Sequence, residues 1–102
     1  MYNKLYYDQL LDFYIELLSN KQQLIAKYYY HQDLSLQEIS ELLAVSRAAI
    51  YDCLKRVRHE LDYYESILLL YQKQQKRQKI LQQIKKQIDP SIWYLLSKLE
   101  TE

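Results

Sequence analysis

The sequence predicts an all-α protein, a helix bundle carrying a helix-turn-helix and followed by a long C-terminal helix. Glycine is absent and Pro90 is the one proline in 102 residues, so the turn punctuation of a many-stranded sheet is missing. Apolar residues recur at steps of three and four along much of the chain. Ser35 and Ser46 each precede a short amphipathic run, the mark of a helix N-terminus.

The first helix is expected over 5–18, where Tyr7, Leu10, Leu11, Tyr14, Leu17 and Leu18 form one apolar face. Ser19 or Asn20 caps a second helix over 20–30, with Leu24, Ile25 and Tyr28 inward and His31 near its negative end. Ser35 and Glu38 form a capping-box pattern for a third helix, with Ile39, Leu42 and Leu43 facing the core. Ala44-Val45 makes a tight turn and Ser46 caps the next helix.

That helix carries an apolar seam of heptad spacing, namely Ile50, Leu54, Val57, Leu61, Tyr64, Leu68 and Tyr71. No breaker follows before Asp89-Pro90, which predicts helix from 47 into the eighties, bent or frayed near 72–79. Asp89 then caps a short terminal helix, with Pro90 at its first position. Ile92, Trp93, Leu95, Leu96 and Leu99 give it an apolar face. The expected domains are a helical bundle over 1–60, with the helix-turn-helix at 35–58, and an arm over 61–102.

The net charge is +1, and hydrophobic residues make up 49% of the chain. Disorder is excluded by that composition, and the charge alone announces no nucleic acid. The charge is polarised, however. Residues 1–45 hold three bases (Lys4, Lys21, Lys27) and six acids (Asp8, Asp12, Glu16, Asp33, Glu38, Glu41). Residues 73–88 hold six bases (Lys73, Lys76, Arg77, Lys79, Lys85, Lys86) and no acid. This basic segment fits a solvated face, a phosphate contact or an acidic protein partner.

The one cysteine, Cys53, fits a reducing compartment. The N-terminus carries no secretory h-region, and the apolar run Ile67–Tyr71 is too short to span a bilayer. A cytoplasmic protein without membrane attachment is expected. His31, His59 and Cys53 form no tight ligand pair, so neither metal nor cofactor is expected. Glycine loops and nucleophile–base motifs are absent, which predicts a non-enzyme with no small-molecule substrate.

Residues 36–57 carry the functional reading. A helix-turn-helix needs a small residue where its helices touch, supplied by Ser40, and apolar residues that fix the angle: Ile39, Leu43, Val45, Ile50 and Leu54. Ser46 opens the second helix, and Arg47, Ala48, Tyr51, Asp52 and Lys55 fall on its outward face. Many such turns place glycine where Ala44 stands, because the backbone there takes positive φ. Alanine pays roughly 1 kcal/mol for it unless the turn adopts another form. The candidate nucleic-acid-binding residues are Ser46, Arg47, Ala48, Tyr51, Lys55, Arg56 and Arg58. Arg47 suits a guanine edge or a phosphate, and Lys55, Arg56 and Arg58 suit phosphates. Asp52 and the acidic preceding half oppose duplex binding, so use of the surface for protein docking stays open beside DNA binding.

The runs Asp12-Phe13-Tyr14, Ser35-Leu36-Gln37-Glu38-Ile39 and Val45-Ser46-Arg47-Ala48-Ala49-Ile50-Tyr51-Asp52 resemble the YlxM-like family of small bacterial proteins. The resemblance covers most of the chain and is strongest over 10–72. A looser likeness reaches the promoter-reading region 4 of sigma factors. The resemblance implies an all-helical protein with a sigma-region-4-like helix-turn-helix. It also implies a role in, or regulation of, the signal recognition particle pathway. Its expected partners are double-stranded DNA, or else a protein or RNA of that particle docked without specific DNA binding. A homodimer is expected from the length of the seam and the uncovered stripe around Trp93.

Overall fold

The computed structural model describes residues 3–101, with side chains through residue 99. It is helical throughout, and no strand occurs among the described residues. Helix α1 spans Lys4–Tyr14 and runs into a 3-10 turn at Ile15–Leu17. Helix α2 spans Asn20–Ala26 and continues as a π-helical turn, Lys27–His31. Then follow α3 (Leu36–Leu43), α4 (Arg47–Leu68), α5 (Leu70–Lys85) and α6 (Pro90–Thr101). The chain divides into two compact units between Tyr71 and Gln72. The sequence boundary at 60/61 therefore falls within α4, inside the first unit.

In the first unit α1, α2 and α3 all pack on α4. Its core comprises Tyr7, Leu10, Leu11 and Tyr14 of α1, Leu18, Ile25, Ala26 and Tyr30, Ile39, and Ile50, Leu54, Val57 and Leu61 of α4. Burying each large aliphatic side chain stabilises the fold by roughly 1.5–3 kcal/mol. The helix starts are fixed by local chemistry. Ser19 and Gln22 form a reciprocal capping box, as do Ser35 and Glu38 at 3.0 Å in both directions.

Three expected core leucines lie outside: Leu17, Leu24 and Leu42 are 51%, 43% and 60% exposed. The cause at the first is that α1 stops at Tyr14 and the tighter 3-10 turn swings Leu17 out, after which Leu18, in extended backbone, turns in. In α2 the wide π turn brings Tyr30 into the core and leaves Tyr28 half-buried. Leu42 lies beyond the width of the face that α3 turns toward α4, a face occupied by Ile39 and Ser40.

The long helix also differs from expectation. Instead of running from 47 into the eighties, with a bend at 72–79, it breaks at Leu69, whose φ is 54° and ψ 30°. The buried positions of α4 are Ile50, Leu54, Val57, Leu61 and Glu65, so the seam drifts off the heptad as a straight 3.6-residue helix must. Glu65 thus takes the inward place that the heptad assigned to Tyr64. Its Oε1 accepts from the Tyr14 hydroxyl at 2.5 Å and from the Tyr71 amide at 3.1 Å. The Tyr14 oxygen in turn accepts from the Leu70 amide at 3.1 Å. These are the first two amides of α5, which lack partners inside their own helix. A carboxylate there also suits the positive end of the α5 dipole.

In the second unit, α5 beyond Tyr71 and α6 enclose an open cleft of about 740 Å³, lined by residues that include Gln75, Gln78, Leu81 and Trp93. The Lys85 ammonium stands 5.2 Å from the centre of the Trp93 ring. Asp89 accepts from the Ser91 amide at 2.8 Å, capping α6 as its sequence position foretells. No described residue from Gln72 on is fully buried. No described helix is long and apolar enough to cross a membrane.

Candidate nucleic-acid interface

Helices α3 and α4 and the turn between them form a helix-turn-helix. Ala44 closes α3 with φ 54° and ψ 41°, the left-handed form, so the alanine bears the strain that glycine would avoid. The Ala44 and Val45 amides both donate to Ser40 O, the latter at 3.2 Å. Ser40 is buried where α3 meets α4, and its hydroxyl is satisfied by Gln37 O at 2.8 Å. Of the residues expected to fix the angle, Ile39, Ile50 and Leu54 are buried, and Leu43 is half-buried. Val45 is exposed and locks nothing.

Ser46 accepts from the Ala49 amide at 3.1 Å and so starts α4. From this start the candidate side chains stand clear of the bundle. Ser46, Arg47, Ala48, Tyr51, Lys55 and Arg56 are all exposed, as are Ala49 and Asp52. Ala48, Asp52, Lys55 and His59, spaced by four, three and four, form the stripe opposite the buried seam. The two alanines leave room for close approach by a flat or grooved partner.

Arg58 is set apart from that stripe. It is half-buried on the α1 flank, where its charge acts on the Tyr7 phenol. That phenol is pushed up to about 12, first by burial and then by its hydrogen bond of 2.9 Å to Asp62. On the other flank, burial raises the Cys53 thiol, opposed by the nearby charges of Lys21 and Arg56. Lys21, near the start of α2, therefore adds a cation beside α4 that no local sequence signal announces. Only the packing of α2 on α4 brings it there. Acids border the surface too: Asp52 lies within the stripe, and Glu38 and Glu41 are exposed on α3.

The three soft ligand candidates are not gathered. Cys53 is half-buried in α4, and His59 lies exposed on the outer stripe. His31 joins α1 instead, its Nε2 at 3.1 Å from carboxylate oxygens of both Asp8 and Asp12. That arrangement is an ion-pair clamp between α1 and the π turn when the imidazole is protonated.

Comparison with known proteins supports the helix-turn-helix description. Residues 1–93 match a family described as "Putative helix-turn-helix protein, YlxM / p13 like". A UPF0122 protein of Oceanobacillus iheyensis is 50% identical over 76 residues, covering 74% of this chain and 72% of its own. One from Listeria monocytogenes serotype 4b is 46% identical over 79 residues, covering 78% and 72%. One from Bacillus licheniformis is 44% identical over 93 residues, covering 89% and 87%.

Proposed function

Because the chain belongs to the UPF0122 family of YlxM/p13-like helix-turn-helix proteins, we propose that it is a regulatory protein that binds duplex DNA through the first turns of α4. The observation that carries this reading is the contrast along one helix. Ile50 and Leu54 hold α4 to the bundle, while Arg47, Ala48, Tyr51 and Lys55 are left exposed at its start. A recognition helix needs that arrangement, with its N-terminal residues free to reach base edges in the major groove. Arg47 meets a base edge or a phosphate. Lys55, Arg56 and Lys21 neutralise phosphates, and Tyr51 packs at the groove wall. Arg58, on the α1 flank, contributes to the field around the helix more than to contacts along the stripe. The family likeness further supports placing this regulation in the signal recognition particle pathway, within the cytoplasm.

A second reading is an adaptor that docks a protein or RNA of the same pathway without specific DNA binding. What favours its protein-docking form is the position of Asp52 in the middle of the stripe and of Glu38 and Glu41 on the adjoining helix. All three repel phosphates.

Fluorescence anisotropy with duplexes selected from a random pool tests the first reading. Affinity should fall steeply with salt, and Arg47→Ala should cost about 1–3 kcal/mol on the selected site. Equal affinity of wild type and Arg47→Ala for every duplex at low salt would reject it in favour of the adaptor.

A further inference from the structure

The acidic half of the first unit and the basic half of α5 carry mirrored surface patterns. On α3, Glu38, Glu41 and Leu42 stand at positions i, i+3 and i+4, and all are exposed. On α5, Lys76, Lys79 and Ile80 stand at the same spacing, again all exposed. Each motif covers one helical turn, so the two match in pitch. Leu42 and Ile80 are 60% and 57% exposed, and each is an apolar centre flanked by charges of one sign. Leu42 also borders a shallow groove of about 400 Å³ with Leu34, Glu38 and Glu41. Among the described residues, none of Glu38, Glu41, Lys76, Arg77 and Lys79 is in an ion pair.

We propose that two copies of this chain pair reciprocally, the Glu38/Glu41/Leu42 face of α3 on each against the Lys76/Lys79/Ile80 face of α5 on the other. Charge complementarity selects this occupant. The bases of α5 have no acid within 73–88 to neutralise them, whereas α3 offers two at the same spacing. Ile80 at the centre of the basic face gains nothing from a phosphate backbone but finds Leu42 on α3. A single contact of this kind is too small to hold a dimer. A two-fold axis forms the contact twice and so doubles the area that holds the pair. The pairing is independent of any nucleic acid. It also covers the acids bordering α4 with cations from the second copy.

Sedimentation of the full chain over a concentration series at low salt tests this, with circular dichroism as the folding control. Glu38→Gln with Glu41→Lys inverts the α3 face, and the glutamine keeps the capping box. Lys76→Glu with Lys79→Glu inverts the α5 face. Wild type should dimerise, and each variant alone should self-associate at least about tenfold more weakly. An equimolar mixture of the two should restore wild-type affinity, since both contacts of the mixed pair are then complementary. A wild type that stays monomeric, as when the faces pair within one chain or with another partner, overturns the proposal. So do variants that dimerise like wild type, and so does a mixture that fails to recover.

Discussion

Tyr14 and Glu65 lie 51 residues apart and share a hydrogen bond of 2.5 Å in which the phenol donates to the carboxylate. Both groups also serve the start of α5, through the amides of Leu70 and Tyr71. One pair of side chains thus ties α1 to α4 and holds the helix break at Leu69. Without it, the left-handed backbone of a leucine would cost roughly 1–2 kcal/mol with nothing to offset it.

Tyr14→Phe keeps the ring and removes the hydroxyl. The variant leaves the Leu70 amide and one carboxylate site without their partner, and should lose about 1–3 kcal/mol. Thermal unfolding followed by circular dichroism reads this as a lower midpoint. An unchanged midpoint would mean that the break at Leu69 does not depend on the phenol.

High pH should act on the same site. Tyr7 and Tyr14 are both pushed from 10.0 up to about 12, mainly by burial and then by hydrogen bonds to Asp62 and Glu65. The folded state holds these protons more tightly than the unfolded chain does. Their contribution is therefore whole below about pH 10 and is lost as pH rises through about 12. Denaturant titrations across that window should show stability falling with pH. A double Tyr7→Phe, Tyr14→Phe variant should show a shallower fall.

Ala44→Gly should stabilise the first unit by about 1 kcal/mol, because φ at this position is 54° and the methyl group crowds the turn. Chemical denaturation measures the gain. Its duplex affinity should not change, since Ala44 ends α3 and supplies none of the side chains assigned to DNA contact. A destabilised variant would show that the left-handed form is not the populated one.

Asp52→Asn separates the two functional readings. If the outer stripe of α4 faces phosphates, removing this charge should tighten duplex binding by about two- to tenfold at low salt and by less at high salt. If the stripe docks a basic protein surface, the same change weakens that contact and leaves duplex affinity alone.

The helix-turn-helix was legible because its signals are local. Ser35 with Glu38, and Ser46 with the run behind it, specify their helix starts within four residues, and the structure places both caps as expected. Ser40 at the helix contact follows from size alone. The break at Leu69 was not legible, because nothing near it in the chain is a breaker; its determinants are Tyr14 and Glu65. The same holds for Lys21, which tertiary packing brings beside α4. Leu17 was misassigned because periodicity assumes a constant helical pitch, and the 3-10 turn changes it; Leu24 lies in regular helix, where the inward positions of α2 are Ile25 and Ala26. Heptad counting likewise placed Tyr64 where a straight helix delivers Glu65.

The want of any fully buried side chain from Gln72 on among the described residues has a kinetic meaning. Amide protection in a helix comes from the cost of opening it, and that cost is set largely by the apolar surface that opening would wet. In an isolated chain the amides of α5 beyond Tyr71 and of α6 should exchange with deuterium well ahead of those of α1 and α4. Heating should melt the second unit without a shared transition. A partner that clothes Ile80, Leu95 and Leu99 would slow that exchange and be visible as protection gained within the second unit itself.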